Sequence, residues 1–158
     1  MATTDLLETG DDCPAFTLPT AGGGSVSAAD LKGKMAVIYF YPRADTPGCT
    51  VQATDFTAML DDFEAAGATV VGISKDPVAK LEKFAAKRGL GIVLASDEDS
   101  DVCERFGVWK EKNMYGKTYM GIERSTFLID ADGKVAEVWR KVRAKDHAEA
   151  VLERIREG

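Results

Sequence analysis

Cysteine is scarce in this chain, histidine scarcer still, and long apolar runs are missing altogether. Three cysteines, widely spaced and odd in number, do not make a disulfide framework, so an ordinary hydrophobic core must hold the fold. The single histidine, His147, has no clustered cysteines or paired carboxylates around it in sequence, which leaves no metal site and no cofactor motif to argue for. Gly22-Gly23-Gly24 is the nearest thing to a phosphate loop, but no Lys-Ser/Thr follows and it reads as a turn. No stretch approaches the length of a membrane span, and the opening MATTDLLETGDD lacks the basic and apolar regions of a secretory signal. A positive excess is also missing. Twenty Lys and Arg against twenty-six Asp and Glu give a net charge of -6, which argues against a nucleic-acid partner. Repeats, linkers and low-complexity tracts are absent. Free thiols without a framework fit a reducing cytoplasm.

What is present is an ordinary composition for 158 residues, 45% hydrophobic and 29% charged, so residues 1–158 read as one domain with its own core. MAVIYFY (35–41) is a continuous apolar, β-branched and aromatic run, the mark of a buried strand. From Thr46 to about Ala66, Ala53, Phe56, Met59, Leu60 and Phe63 recur at helical spacing. ATVVGIS (68–74) is a second buried strand, and Val78, Leu81, Phe84 and Ala85 mark a helix that Gly89 stops. GIVLA (91–95) predicts a third strand and Asp99 to Phe106 a short helix, with "SDEDSD" as its solvated acidic start. STFLID and KVAEVW flank Ala131-Asp132-Gly133, a hairpin signal, and Ala148, Val151, Leu152 and Ile155 give a last helix. The segment "GVWKEKNMYGKTYMG" reads as a partly packed loop. Its alternative use, through Trp109 and Tyr119, is a pocket wall or a dimer contact. The order predicts a three-layer α/β fold with a central mixed sheet, as in thioredoxin-like proteins.

One stretch carries chemistry. In "YPRADTPGCT" (41–50) Thr46 suits an N-cap and Pro47 the first helical position, which puts Cys49 in the first turn. Unpaired backbone N–H groups and the positive end of the helix dipole favour thiolate over thiol there. A free cysteine is more often a small buried hydrophobe. The strand-to-helix corner tips the balance toward a reactive thiol.

"FYPRADTPGCT" carries the Pro-x-x-x-Thr-x-x-Cys signature of peroxiredoxins. Together with "VVGIS", "LASDEDSDVCERFGVW", "GKTYMGIERSTFLID" and "ADGKV", the chain resembles the bacterioferritin comigratory protein (peroxiredoxin Q) branch over nearly its whole length. The resemblance implies reduction of hydrogen peroxide and organic hydroperoxides. It also implies that Cys49 is the peroxidatic thiol, Thr46 its hydroxyl partner, Pro42 its shield and Arg124 the activating guanidinium. Without the family, Arg124 is merely an arginine before a strand.

A departure bears on the cycle. Many relatives carry a resolving cysteine five residues after the first, where this chain has Thr54, and others place it in the following helix, where Phe84, Ala85 and Ala86 stand. Two thiols remain. Cys103, one turn before Phe106, reads as core, and Cys13, before Pro14, as part of an N-terminal loop. The expectation is a one-cysteine cycle in which thioredoxin, glutaredoxin or glutathione reduces the Cys49 sulfenic acid, in a monomer or weak dimer. A two-cysteine cycle with Cys103 as resolver is the alternative. A thioredoxin-like carrier or a redox sensor is the rival from another class, although a carrier needs two sulfurs to store two electrons.

Overall fold

The structure, a computed structural model, describes residues 7–157, apart from the Met114 side chain. Nine strands and six helices follow one another along these residues. A small ribbon, β1 (Thr17–Pro19) with β2 (Ser25–Ser27), turns through the glycine triplet and leads into α1 (Ala28–Leu31). The main sheet takes β3 (Met35–Phe40), β4 (Ala68–Ser74), β5 (Val93–Ser96), β8 (Ser125–Ile129) and β9 (Val135–Trp139) in the order β5-β4-β3-β8-β9. β3 runs parallel to β4 and antiparallel to β8, so the sheet is mixed, as expected. Between the parallel strands lie α2 (Pro47–Ala58), α3 (Leu60–Ala65) and α4 (Val78–Arg88), with α5 (Val102–Arg105) after β5 and α6 (His147–Glu157) after β9.

Strand alternation divides the core in two. Val37 and Tyr39 of β3 point to one face, where they meet Cys49, Ala53 and Phe56 of α2, Leu81 and Phe84 of α4, and the apolar side of α6. Ala36, Ile38 and Phe40 point to the other, where Val102 and Cys103 of α5, Phe106 and the β1–β2 ribbon close over them. Both faces of β3 are therefore sealed, which is why its sequence shows no polar alternation. Gly72 stands opposite Tyr39 in β4 and leaves room for that ring, since a Cβ there would come within 2.7 Å of Tyr39 Cζ. The ring can then stack on Phe56 at 4.8 Å.

Five expectations need correction. The helix predicted from Thr46 to Ala66 is divided at Met59, whose ψ of 7° departs from the helical value. The third strand begins two residues late, at Val93, and α5 spans only Val102–Arg105. "SDEDSD" is solvated from Glu98 to Asp101 but not at its start: Asp97 is fully buried and accepts the N–H groups of Val102 and Cys103 at 3.1 and 2.7 Å. The segment read as a loop is an antiparallel ribbon, β6 (Trp109–Met114) with β7 (Lys117–Ile122). Its two-residue turn puts both Tyr115 (φ 53°) and Gly116 (φ 79°) in the left-handed region. Hairpins favour that geometry, but asparagine or aspartate is the usual first residue, so the tyrosine hid the signal. No helix among the described residues is long and apolar enough to cross a membrane.

Candidate active site

The turn between β3 and α2 is built as its residues dictate. Proline takes the first helical position without wasting a donor, and Thr46 holds the extended cap conformation. Its hydroxyl does not cap the helix, however, but donates to the Arg43 carbonyl at 2.9 Å. The one hydroxyl proton is thereby used, which leaves the threonine oxygen to act as an acceptor. The preceding turn is held by two carboxylates from elsewhere. Asp76, after β4, accepts the Ala44 N–H at 2.7 Å, while Asp45 pairs with Lys87 and Arg88 of α4 at 2.9 and 3.1 Å.

Cys49 lies one turn into α2 and is 1% exposed. Arg124, from the residue before β8, brings Nη2 to 3.2 Å from its sulfur although 75 positions separate them in sequence. A guanidinium N–H aimed at sulfur is a charge-assisted donor that stabilises negative charge on it. Gly48 makes the approach possible: a Cβ there would stand 3.1 Å from the same nitrogen. The other fork of Arg124 donates to Gln52 Oε1 at 2.6 Å, so the guanidinium is gripped at two points. Gln52 escaped the sequence reading. Its signal was available, since it stands one helical turn after Cys49 on the buried face and carries a polar side chain where apolar residues are the rule.

A cleft of about 540 Å³ opens at the start of α2. It is lined by Pro42, Arg43 and Thr46, by Lys75 and Asp76 after β4, and by Trp109, Lys112, Tyr119, Met120 and Ile122 of the β6–β7 ribbon. Pro42, Thr46, Cys49 and Arg124 are thus brought together at one end of the sheet, and Trp109 and Tyr119 stand on the pocket side, as the alternative reading of their segment had it.

The remaining thiols are elsewhere. Cys103 is fully buried beneath the opposite face of the sheet. Burial first, and then the Asp97 carboxylate, push its thiol far above the ordinary range. Cys13 is half-buried and packs against that same face, where burial pushes its pKa up to about 11. Thr54 points its hydroxyl back to the Thr50 carbonyl at 2.8 Å. His147 is buried against Phe56 and Trp139, its Nε2 2.7 Å from Thr126 Oγ1. Burial first, with the charge of Arg124 after it, lowers its pKa to about 4. Among the described residues no group of His, Cys, Asp and Glu is arranged to hold a metal.

Thr46, at the start of the helix that carries Cys49, lines the cleft, whereas Cys49 and Arg124 themselves lie behind its lining. A sulfur paired with a fixed cation can act as a nucleophile toward a small electrophile that reaches it. Comparison with known proteins gives that chemistry its setting. Residues 9–138 match the AhpC/TSA family. The chain is 48% identical to peroxiredoxin Bcp of Escherichia coli K12 over 151 residues, 96% of this chain and 97% of that protein. It is 48% identical to peroxiredoxin Bcp of Xanthomonas campestris over 139 residues, 87% of each. Among solved structures, the bacterioferritin comigratory protein of Xanthomonas campestris, described by its alkyl peroxide reduction activity, superposes with a TM-score of 0.86 at 45% identity over 90% of both chains. A cysteine mutant of Xylella fastidiosa PrxQ reaches 0.92 at 37% identity over 98% of both. The chain belongs to the AhpC/TSA family and, within it, to the thiol peroxidases of the peroxiredoxin Q (bacterioferritin comigratory protein) branch.

Proposed function

We propose that this peroxiredoxin reduces hydrogen peroxide and organic hydroperoxides through a sulfenic acid on Cys49, in a one-cysteine cycle completed by an external thiol. The contact that carries the reading is Arg124 Nη2 at 3.2 Å from the Cys49 sulfur. The thiolate attacks the nearer peroxide oxygen, the O–O bond breaks, and the sulfur is left as sulfenic acid. Ionisation alone does not account for an efficient peroxidase. A free thiol is already a few per cent thiolate at neutral pH, so complete ionisation gains roughly thirty-fold at most. The rest must come from alignment of the O–O bond and stabilisation of moving charge. Arg124 serves the sulfur and the oxygen that binds it. Thr46, its own proton held by Arg43, accepts from the peroxide O–H and so selects one orientation. Pro42 offers an apolar ring without an N–H at the cleft edge, which keeps bulk water from the sulfenic acid.

The one-cysteine cycle is supported by where the other sulfurs lie. Thr54 removes a resolver on α2, and Cys103 and Cys13 both belong to the opposite core face. A disulfide demands Cα atoms within about 7 Å, so Cys103 would have to cross the sheet. Thioredoxin, glutaredoxin or glutathione then reduces the sulfenic acid, directly or through a mixed disulfide. Three free thiols suit a reducing cytoplasm, and a monomer or weak dimer suffices for this site.

Intact mass after one equivalent of peroxide tests the cycle. Gain of one oxygen, trappable by a sulfenic-acid reagent and lost in Cys49→Ser, is the expected result. Loss of two hydrogens with no change in chain number would mean an internal disulfide and restore the two-cysteine cycle.

A further inference from the structure

The cleft holds a second cation to which the reading above gives no task. Lys112, in β6, is half-buried, reaches the cleft wall opposite Pro42 and Thr46, and lays its methylenes over Gly121, where a Cβ would stand 3.3 Å from Lys112 Cδ. The other cations of the cleft are engaged or peripheral. Lys75 is paired with Asp97 and Glu104 at 3.3 and 2.9 Å, and Arg43 is exposed at the rim. Among the described residues Lys112 has no ion pair. Burial first and the charge of Arg124 next hold its pKa below the ordinary lysine value, while Glu123 and Cys49 act in the opposite direction.

The geometry of displacement gives this ammonium a position in the reaction. Sulfur attacks along the line of the O–O bond, so the oxygen that leaves lies on the far side of the peroxide from the sulfur. Tyr39, Tyr41, Ala53 and Phe56 pack the inner side of Cys49, and Arg124 with Gln52 covers another. The cleft is lined by Thr46, the cap of the helix that carries Cys49, so a peroxide that reaches the sulfur past Thr46 has its departing oxygen directed toward the cleft, whose lining includes Lys112. Arg124 serves the attacking end. The charge that develops at the far end needs a donor on the ribbon side, and Lys112 is the unpaired one.

We propose that Lys112 donates a hydrogen bond, and then a proton, to the oxygen that leaves. This rests on Cys49 being the peroxidatic thiol. The thiolate lone pair forms the S–O bond, and the O–O bond breaks with its electron pair on the far oxygen. That oxygen takes the ammonium proton and departs as water or an alcohol. Sulfur is oxidised to sulfenic acid, the peroxide is reduced, and the neutral amine recovers a proton from water. Partial desolvation makes this ammonium a readier acid than an exposed lysine, which is the direction a proton donor requires.

Leaving groups of different basicity test the assignment. Stopped-flow oxidation of the full chain is followed with tert-butyl hydroperoxide, whose alkoxide must be protonated, and with peracetic acid, whose carboxylate leaves unaided. Lys112→Met is expected to slow the first by about 10²-fold and the second by less than about threefold. Alkylation of Cys49 by iodoacetamide, whose iodide also leaves unaided, is expected to be unchanged. Lys112→Arg keeps the charge without a transferable proton and is expected to remain well below the parent with tert-butyl hydroperoxide. Equal slowing with both oxidants, no slowing at all, or a parallel fall in alkylation overturns the assignment. If circular dichroism shows Lys112→Met misfolded, the two oxidants are compared in Lys112→Arg alone. A parent protein whose Cys49 no peroxide oxidises would sink the peroxidase reading itself, a result distinct from all of these.

Discussion

Cys49 and Cys103 are equally hidden, 1% and 0% exposed, on opposite faces of one sheet, and each sits in an early turn of a helix that follows a strand. Their charged neighbours are opposite in sign. Cys49 meets the Arg124 guanidinium, whereas Cys103 lies against the Asp97 carboxylate that fastens the start of α5. Burial penalises any thiolate; a cation beside the sulfur works against that penalty, and a carboxylate adds to it. One face of the sheet is arranged for an anion and the other against one. Burial alone therefore says little about a cysteine's role; the residue that touches it says more.

The largest expected effect comes from removing that neighbour. Arg124→Gln should lower the rate of Cys49 oxidation by about 10²–10³-fold, in line with the loss of one preorganised charge-stabilising donor, measured by stopped flow with hydrogen peroxide. Asp97→Asn, the mirror experiment, should leave that rate nearly unchanged. An Arg124 variant that retains full rate would break the contrast.

Acid offers a second way to separate the faces, because His147 lies on the Cys49 side. Its folded pKa of about 4 is below the unfolded value near 6.5, so the unfolded chain binds the proton first. Stability is lost as pH falls from about 6.5 to about 4, by about 3 kcal/mol, with no further loss from this group below that. Urea unfolding at several pH values should show this slope in the parent and lack it in His147→Gln. An unchanged slope would remove His147 from the account.

The smallest effect sharpens the contrast from the other side. Cys103→Ser puts a hydroxyl where no charge is wanted and should cost about 1–3 kcal/mol of stability. Peroxidase turnover with an external thiol should stay within about twofold, since a surface or core change remote from the chemistry acts on folding rather than on rate. Lost turnover in a folded Cys103→Ser protein would reinstate that residue as resolver.

Much of this was legible in the order of residues. The runs 35–41 and 68–74 are apolar throughout because both faces of those strands are covered, and the cap, proline and glycine around Cys49 announce a strand-to-helix corner. Contacts across long separations were not legible. Arg124 is an unremarkable arginine until β8 lies beside β3 and carries it to the sulfur, so its role could come only from resemblance. Asp97 was misread because acidic runs are usually solvated, and nothing local tells that one of its carboxylates turns inward to serve α5. The β6–β7 ribbon was missed because a tyrosine occupies a turn position that asparagine or aspartate normally fills.

The two carboxylates that fasten the turn before α2 have a mechanical meaning. Asp76 sits just ahead of α4, and the partners of Asp45 are the last basic residues of α4 itself. Two adjacent residues of the corner, Ala44 and Asp45, are thus moored at the two ends of a single neighbouring helix. A partner that tugged α4, or a change that loosened it, would reach the sulfur without touching it.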